Sequence, residues 1–179
     1  WIDQNPRLSG INWQSSLEIA LRCISWFWTI VLILSSKALS EKRLLRICGS
    51  LFAQLDHVYR YPSVYTSPNT HLIGEAAALF IGGVLFAELP RARRWRDFGA
   101  HTLVEQMRRQ VFHDGVYGEL SSYYHCYATD FYLHTVALAR HNGISFPSEV
   151  EECLQRMCEF VAHVTRPDGV IPLLGDDDG

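Results

Sequence analysis

The sequence has no surplus of basic residues and no regular cysteine motif. Its formal net charge is −3, whereas nucleic-acid-binding proteins usually carry a basic surplus, so we expect no nucleic-acid partner. The five cysteines include no Cys-x-x-Cys pair, which argues against a zinc site or a disulfide framework. Because they lie mostly in apolar helical patterns, they are predicted to be buried thiols.

The sequence also lacks a long apolar run and any segment with convincing strand alternation. Its main apolar stretch, residues 23–34, is twelve residues long, whereas a membrane-spanning helix needs roughly 20. We therefore predict a buried helix there and no membrane span. With 48% hydrophobic residues, the chain has enough apolar side chains to form one core.

An initiator methionine and a signal-peptide pattern are absent at Trp1, and Gly179 falls within a polar loop. These features predict a piece of a longer protein, so cellular location cannot be inferred from the N-terminus.

Apolar periodicity and helix-ending residues predict six helices, at about 13–36, 40–59, 70–88, 91–112, 126–141 and 147–165. In the third helix, Gly82 and Gly83 suit close helix packing, although glycine lowers helix propensity. The six helices form three consecutive hairpins. The sequence Asp-Gly-Val at 114–116 recurs at 168–170, 54 residues later, and a two-helix repeat near that length indicates a solenoid or a closed helical toroid.

Polar loops follow every second helix, so they are predicted to share one end of the helical array. They comprise residues 60–71, 113–125 and 166–179. This geometry brings together Asn69 and Tyr124, which are 55 residues apart in the sequence. We therefore expect functional residues in these loops.

Four motifs, in this order, resemble the helical domain of heparinase II/III-like polysaccharide lyases. They are Asn12-Trp13 with Ser15-Ser-Leu-Glu18 and Arg22-x-x-Ser-Trp26; Ser67-Pro-Asn-Thr-His-x-x-Gly-Glu75; Asp114-Gly-Val-Tyr-x-Glu-x-Ser-x-Tyr-Tyr-His125; and Arg166-Pro-Asp-Gly-x-x-Pro-x-x-Gly-Asp176. The similarity covers nearly the whole chain. Four motifs in sequence are much more specific than any one of them alone.

The resemblance implies an all-α fold in which three consecutive helical hairpins form part of an incomplete (α/α) toroid. Residues 1–179 would be a fragment of a single toroid domain. A C-terminal β-sandwich domain of the same protein would contribute further site residues, including a histidine. The resemblance also implies an acidic polysaccharide substrate, no cofactor, and a periplasmic or secreted bacterial protein.

The activity that the resemblance implies is β-elimination in a glycan that contains uronic acid. A base removes the proton at C5 of the uronate, and the glycosidic oxygen leaves from C4. Because the C5 proton is weakly acidic while the neighbouring carboxylate is charged, the site must neutralise that carboxylate. A tyrosine can be the base if its pKa is lowered, and it can then protonate the leaving oxygen.

By the resemblance, Asn69 neutralises the carboxylate and Tyr124 is the base and acid, because the family's tyrosine directly precedes a histidine. Tyr123 is the adjacent competitor for the base, and ordinary aromatic packing is the structural alternative for either tyrosine. Asn69 also follows Pro68 at a helix start, where asparagine is a favoured N-cap. The capping and catalytic roles are compatible.

Three further residues near these two have both a functional and a structural interpretation. A protonated His71 can donate to a carboxylate, or it can be a surface histidine in the first helical turn. Glu75, four residues later, can orient His71 or bind sugar hydroxyls, or it can be a solvent-exposed acid. His125 can assist proton transfer or simply pack.

The remaining charged candidates are Arg22, Glu119 and the acidic run at 176–178. Arg22 lies in an apolar helix, where pairing with Glu18 explains it, and contact with a substrate carboxylate is the functional alternative. Glu119 is a candidate substrate-binding residue or a brace for the site loop, or it is solvated. The acidic run lacks the alternating spacing of a calcium loop, so we predict no metal there.

Two other functions are compatible with the same residues. A glycoside hydrolase on a helical toroid needs two carboxylates that flank the bond, and Glu75 and Glu119 can be nominated without forming a convincing pair. A non-catalytic helical glycan-binding module would use the polar face as a docking surface. The glycan itself, whether heparan, alginate or a bacterial exopolysaccharide, depends on subsites mostly outside these residues.

Overall fold

The computed structural model describes residues 1–177, which form six α-helices after two short 3-10 helices, Ile2–Gln4 and Ile11–Trp13. The α-helices are α1 (Ser16–Ile33), α2 (Glu41–Arg60), α3 (Thr70–Leu85), α4 (Ala92–Gln110), α5 (Ser122–His141) and α6 (Ser148–Val164). Within residues 1–177 the only extended pairing is an isolated antiparallel bridge between Val111 and Tyr117. The predicted all-α fold of three consecutive hairpins is confirmed.

The helices pack as two layers around α3. The odd-numbered helices form one layer, in which α3 lies between α1 and α5, and each even-numbered helix packs against the helix that precedes it. Thirteen of the sixteen residues of α3 are buried, so this helix is the centre of the core. All three odd helices point their N-terminal ends toward the same end of the array.

Small residues allow α3 and α4 to approach closely. A Cβ atom on Gly83 would lie 2.5 Å from the carbonyl oxygen of Ala92, and one on Gly99 would lie 2.5 Å from the carbonyl oxygen of Ala76. Real Cβ atoms essentially never come that near to a backbone oxygen. The predicted use of Gly83 for close helix contact is therefore confirmed.

Helix α5 begins four residues earlier than the sequence pattern predicts. The hydroxyl oxygen of Ser121 accepts a hydrogen bond from the backbone N–H of Tyr124, at 3.2 Å, and so caps the helix. Tyr123, Tyr124 and His125 consequently lie in the first turn of α5 and not in a loop, which corrects the predicted start at 126. The other helix boundaries agree with prediction within three residues.

The apolar helix α1 is buried only in part. Cys23, Ile24 and Phe27 are buried, whereas large apolar side chains near its C-terminal end, including Trp28 and Leu32, are exposed. The prediction of a buried helix therefore holds for the first part of the apolar run alone. By length and composition, α1 is also the one helix within residues 1–177 that could cross a membrane, and 39% of its residues are buried.

All five cysteines are free thiols, of which Cys23 and Cys153 are buried and the others are half-buried. Burial raises the pKa of Cys23 to about 12, so its thiol stays protonated and acts as a small apolar side chain. The prediction of buried thiols is confirmed for these two residues.

Candidate active site

Three polar loops are joined at the end of the array where α3 and α5 begin. The side chain of Gln110, the last residue of α4, donates to the carbonyl oxygen of Pro68 at 2.9 Å and so links the start of the α4–α5 loop to the α2–α3 loop. The segment after α6 docks on the start of α5, where the Ser121 hydroxyl donates to the carbonyl oxygen of Asp176 at 2.5 Å. The loops thus share one end, as the helix order predicts. The acidic run continues into Asp178, which with Gly179 lies outside the described residues.

Asn69 is the N-cap of α3 and contacts two candidate site residues. Its Oδ1 atom accepts from the backbone N–H of His71 at 3.2 Å, and its Nδ2 atom lies 3.4 Å from Oε2 of Glu119. Because a carboxylate can only accept, the amide nitrogen faces Glu119 and the amide oxygen faces the His71 ring. That capping oxygen also lies 3.2 Å from Nδ1 of His71.

This arrangement favours the tautomer of His71 that carries hydrogen on Nδ1. Since Oδ1 of Asn69 cannot donate, Nδ1 of His71 carries the hydrogen in their contact. The neutral ring then presents Nε2 as an acceptor, whereas the protonated ring presents a second N–H donor. His71 can therefore donate to a substrate carboxylate through Nε2 only in its protonated form.

Glu119 braces the start of α3. Its Oε1 atom accepts from the backbone N–H of Thr70 at 3.0 Å and also from the Thr70 hydroxyl. The hydroxyl of Tyr117 lies 3.0 Å from the same oxygen. The brace that the sequence suggested for Glu119 is thus present, and its carboxylate is engaged by protein donors.

Tyr117 lies beside Glu119 and Thr70 in the candidate site, although no role was predicted for it from the sequence. Its ring is fully buried, and its hydroxyl lies 2.8 Å from Oε1 of Gln110 and 3.0 Å from Thr70 Oγ1. Burial raises the pKa of Tyr117 far above its usual value, so the phenol stays protonated. Its presence in the third motif was the signal that could have identified it.

Tyr124 and Tyr123 lie side by side in the first turn of α5. Tyr124 is half-buried, whereas Tyr123 is 37% exposed. Their rings meet edge to face, with centroids 5.6 Å apart, and Tyr123 also contacts the ring of Tyr127 at 5.9 Å. Glu119 precedes Tyr124 by five residues, so the brace on α3 and the candidate base lie on one short segment.

His125 has a packing role. Its side chain is buried, Nδ1 accepts from the backbone N–H of Tyr117 at 3.2 Å, and Nε2 lies 3.0 Å from the carbonyl oxygen of Met157. The ring also packs on Phe160, with centroids 4.6 Å apart. Burial lowers the pKa of His125. Because both ring nitrogens are engaged, the proton-transfer role proposed for His125 is replaced by a structural one.

The sequence suggested that Glu75 is a solvent-exposed acid or a partner of His71. The structure shows neither role. Its side chain is fully buried. Its Oε2 accepts from the backbone N–H of Ser63 at 2.7 Å, and its Oε1 accepts from the Ser63 hydroxyl at 2.6 Å. Burial raises the pKa of Glu75 to about 6. The residue holds the α2–α3 loop in place, and its burial keeps the carboxylate out of reach of a sugar.

Arg22 has structural partners other than the predicted Glu18. Its Nε atom donates to Oε1 of Gln54 at 2.6 Å, and Nη2 donates to the carbonyl oxygen of Asn12 at 2.8 Å. The guanidinium carbon lies 4.5 Å from the centroid of the Trp1 ring. Burial lowers the pKa of Arg22. These contacts tie α1 to α2 and to the N-terminal segment, so Arg22 is placed as a structural residue.

A groove of about 850 Å³ runs beside the α2–α3 loop, and we call it the α2–α3 groove. His71 and Trp13 of the motifs line it, and so do residues to which the motifs give no role, among them His57, Arg60, Tyr61 and Tyr65. The signal that could have found the groove is the aromatic-rich run Tyr59-Arg-Tyr-Pro-Ser-Val-Tyr65, since exposed aromatic residues beside an arginine are typical of binding surfaces.

Comparisons with known proteins agree with the motifs. A family model described as Heparinase II/III N-terminus matches residues 1–178. A heparin-sulfate lyase from Pedobacter heparinus is 29% identical over 183 residues, covering 98% of this chain and 27% of that protein. A heparin-sulfate lyase from Bacteroides thetaiotaomicron is 30% identical over 191 residues, covering 98% of this chain and 26% of that protein.

Solved structures show the same architecture. A crystal structure of heparinase III superposes with a TM-score of 0.81 at 25% identity, covering 97% of this chain and 28% of that one. A mutant of the heparan sulfate lyase HepC from Pedobacter heparinus superposes with a TM-score of 0.74 at 28% identity, covering 96% and 28%. The chain thus spans about 27% of the length of the first curated relative that it matches.

Proposed function

The chain belongs to the heparinase II/III family, and from this premise we propose that it carries the helical part of the active site of a polysaccharide lyase. The proposed substrate is a heparin-type glycosaminoglycan, because the relatives are named heparin-sulfate lyases. Its uronic acid units supply the carboxylate and the C5 proton that β-elimination requires. A C-terminal β-sandwich domain of the same protein is proposed to complete the site.

The observation that carries the proposal is the contact between Asn69 and Glu119, at 3.4 Å. It joins the second and third motifs, so the N-terminal ends of α3 and α5 lie in one site. Helix N-termini carry partial positive charge and favour a bound carboxylate. The Nδ2 atom of Asn69 has two hydrogens, of which one faces Glu119 and the other is available to the uronate.

Tyr124 is the proposed base and acid. Tyr117, the nearest phenol to Glu119, is excluded from this role because burial raises its pKa. Tyr124 is half-buried at the helix start that the docked loops surround, and its position directly before His125 matches the family pattern. Asn69 and protonated His71 neutralise the uronate carboxylate, which lowers the free energy of the aci-carboxylate intermediate.

The hydrogen bonds that Glu75 and Glu119 make within the protein disfavour hydrolysis as the reaction. A glycoside hydrolase would need one carboxylic acid and one carboxylate facing the glycosidic bond. Both oxygens of Glu75 accept hydrogen bonds from Ser63, and Glu119 accepts hydrogen bonds from Thr70. These two nominated residues hold backbone segments in place, so elimination by Tyr124 is the better-supported chemistry.

The proposal is tested with the full-length protein and a panel of glycans: heparin, heparan sulfate, alginate and a neutral polysaccharide. Elimination creates a C4–C5 double bond, which absorbs ultraviolet light, whereas hydrolysis releases reducing ends without that absorbance. Rising absorbance on heparin or heparan sulfate is the expected result. Reducing ends without absorbance would establish hydrolysis, and glycan binding without cleavage would establish a non-catalytic module.

A further inference from the structure

We propose that the α2–α3 groove is a second glycan subsite, in which Arg60 in its lining, together with Arg7 held beside it by Asp56, binds a sulfate or carboxylate on a sugar away from the cleaved bond. The inference rests on the proposed function, since it takes the substrate to be an anionic glycan. It adds a binding site apart from Asn69 and Tyr124, the residues proposed for the cleavage.

An excess of positive charge lies at the edge of this groove. The buried carboxylate of Asp56 is contacted by three arginines: Arg7 at 3.3 Å, Arg60 at 2.9 Å, and Arg91. One carboxylate neutralises one guanidinium, so the cluster retains two positive charges. The side chains of Arg7 and Arg60 are 49% and 50% exposed, so this charge is accessible to an anion in solution.

The geometry of the guanidinium groups leaves them able to bind that anion. Each contact with Asp56 is made by one nitrogen of an arginine, whereas a guanidinium carries five N–H donors in a planar fork. Such a fork matches the oxygens of a sulfate or carboxylate. Asp56 therefore orients the arginines while using one nitrogen of each, and the remaining N–H donors of Arg7 and Arg60 can bind a ligand.

Aromatic residues give the same groove a surface for a sugar ring. Tyr65 is 95% exposed, and Arg60, Tyr61 and Tyr65 all line the groove. His57 lies behind them, with its ring centroid 4.9 Å from that of Tyr61. Within residues 1–177, the buried Nδ1 atom of His57 has no hydrogen-bond partner. Because that atom is closed to solvent, the exposed tyrosines and not His57 supply the surface for a sugar ring.

The groove is continuous with the proposed site of cleavage. His71 lines the groove, and its ring contacts Asn69 at 3.2 Å. A glycan bound with one uronate at Asn69 can therefore extend along the α2–α3 loop toward Arg60. Because Arg60 does not contact the reacting atoms in this arrangement, it is expected to affect substrate affinity and KM more than kcat.

The test measures binding in the full-length protein with the Tyr124→Phe change, so that the glycan is not consumed. Affinity for a defined heparin oligosaccharide is measured by calorimetry at two salt concentrations. Arg60→Gln combined with Arg7→Gln is expected to weaken binding about tenfold and to make it less dependent on salt. Arg93→Gln is the matched control: Arg93 is 86% exposed and pairs with Asp97, so its loss should leave affinity unchanged.

Removing arginines from Asp56 can destabilise the protein, so a second variant tests the subsite without disturbing the fold. Tyr65 is 95% exposed, so Tyr65→Ala should leave the melting temperature unchanged and still weaken binding about threefold. Heparin oligosaccharides with and without sulfate identify the anion. If the arginine effect disappears on the desulfated oligosaccharide, the group bound is a sulfate; if it persists, the group is a carboxylate.

Three outcomes separate this inference from the function on which it rests. Weaker binding by both the arginine and Tyr65 variants supports the subsite. If the Tyr124→Phe protein binds the glycan and the arginine and Tyr65 variants bind it as tightly as Arg93→Gln does, the subsite is overturned and the lyase proposal stays intact. If the Tyr124→Phe protein does not bind the glycan, the proposed function and the subsite are both contradicted.

Discussion

The amide nitrogen of Asn69 lies 3.4 Å from a carboxylate oxygen of Glu119, fifty residues further along the chain. This contact joins the N-cap of α3 to the segment that leads into α5. Since Glu119 also accepts from the backbone N–H of Thr70 at 3.0 Å, one carboxylate orients both the helix start and the amide. The candidate active site depends on this long-range link.

Removal of the Glu119 carboxylate should destabilise the protein. Glu119→Ala leaves the Thr70 N–H and the Tyr117 hydroxyl without this acceptor, and the expected loss of unfolding free energy is about 2 kcal/mol. Urea denaturation measures it. Glu119→Gln retains an amide oxygen as acceptor and should lose less stability. An equal loss in both variants would contradict a brace that acts through these hydrogen bonds.

Glu75 should make stability fall as pH rises from about 4.5 to 6. Burial raises its pKa from 4.5 to about 6 in the folded protein, so the folded state binds this proton more tightly than the unfolded state. The stabilisation from that proton is complete below pH 4.5 and is lost as pH rises through 6.

Glu75→Gln cannot ionise, so it should lack this component of the pH dependence. The difference in unfolding free energy between the variant and the wild type should change by about 2 kcal/mol across this range. Urea denaturation at pH 4 to 8 measures it. A difference that stays constant with pH would show that Glu75 does not titrate in this way.

His125 should be essential for stability and not for chemistry. His125→Ala removes the contacts with the Tyr117 backbone and the Met157 carbonyl and leaves a cavity, and the expected cost is about 3 kcal/mol. Thermal unfolding measures this cost. Any loss of activity should match the unfolded fraction, so a stable but inactive variant would restore a proton-transfer role for His125.

The close contact between α3 and α4 should not tolerate a methyl group at Gly99. A Cβ there would lie 2.5 Å from the carbonyl oxygen of Ala76, and Gly99→Ala should cost about 1–3 kcal/mol. Gly49 in α2 is the matched control, because a Cβ there meets no atom within 4 Å. Gly49→Ala should stabilise the protein by about 0.5–1 kcal/mol. Equal effects in thermal unfolding would contradict the packing.

The sequence predicts the hairpins and the shared end of the loops because helix periodicity and loop spacing are local signals. Asn69 as an N-cap is likewise a local feature. The partner of Glu75 could not be predicted, because Ser63 reaches it only after the α2–α3 loop folds over α3. The same limit applies to Asp56, whose partners Arg7 and Arg91 are 49 and 35 residues away.

The start of α5 differs from the prediction for another reason. The residues before Ser121 have the composition of a turn, which hides the helix cap that Ser121 provides. Leu120 adopts a left-handed conformation, with φ of 55°. Gly175 permits this turn, because a Cβ on Gly175 would lie 2.6 Å from the Leu120 carbonyl oxygen. Contacts from the segment after α6 therefore set the position of Tyr124, and such contacts are not visible in local sequence.

The rate of ultraviolet-absorbing product formed from heparan sulfate by Tyr124→Phe tests the central claim most directly. Tyr123→Phe is the control, because the two phenols are neighbours in the same helical turn with ring centroids 5.6 Å apart. Loss of general acid–base catalysis should lower kcat of Tyr124→Phe at least about 100-fold, with an unchanged melting temperature and near-normal activity in Tyr123→Phe. Full elimination activity in Tyr124→Phe, or its loss only in Tyr123→Phe, would contradict the assignment of the base.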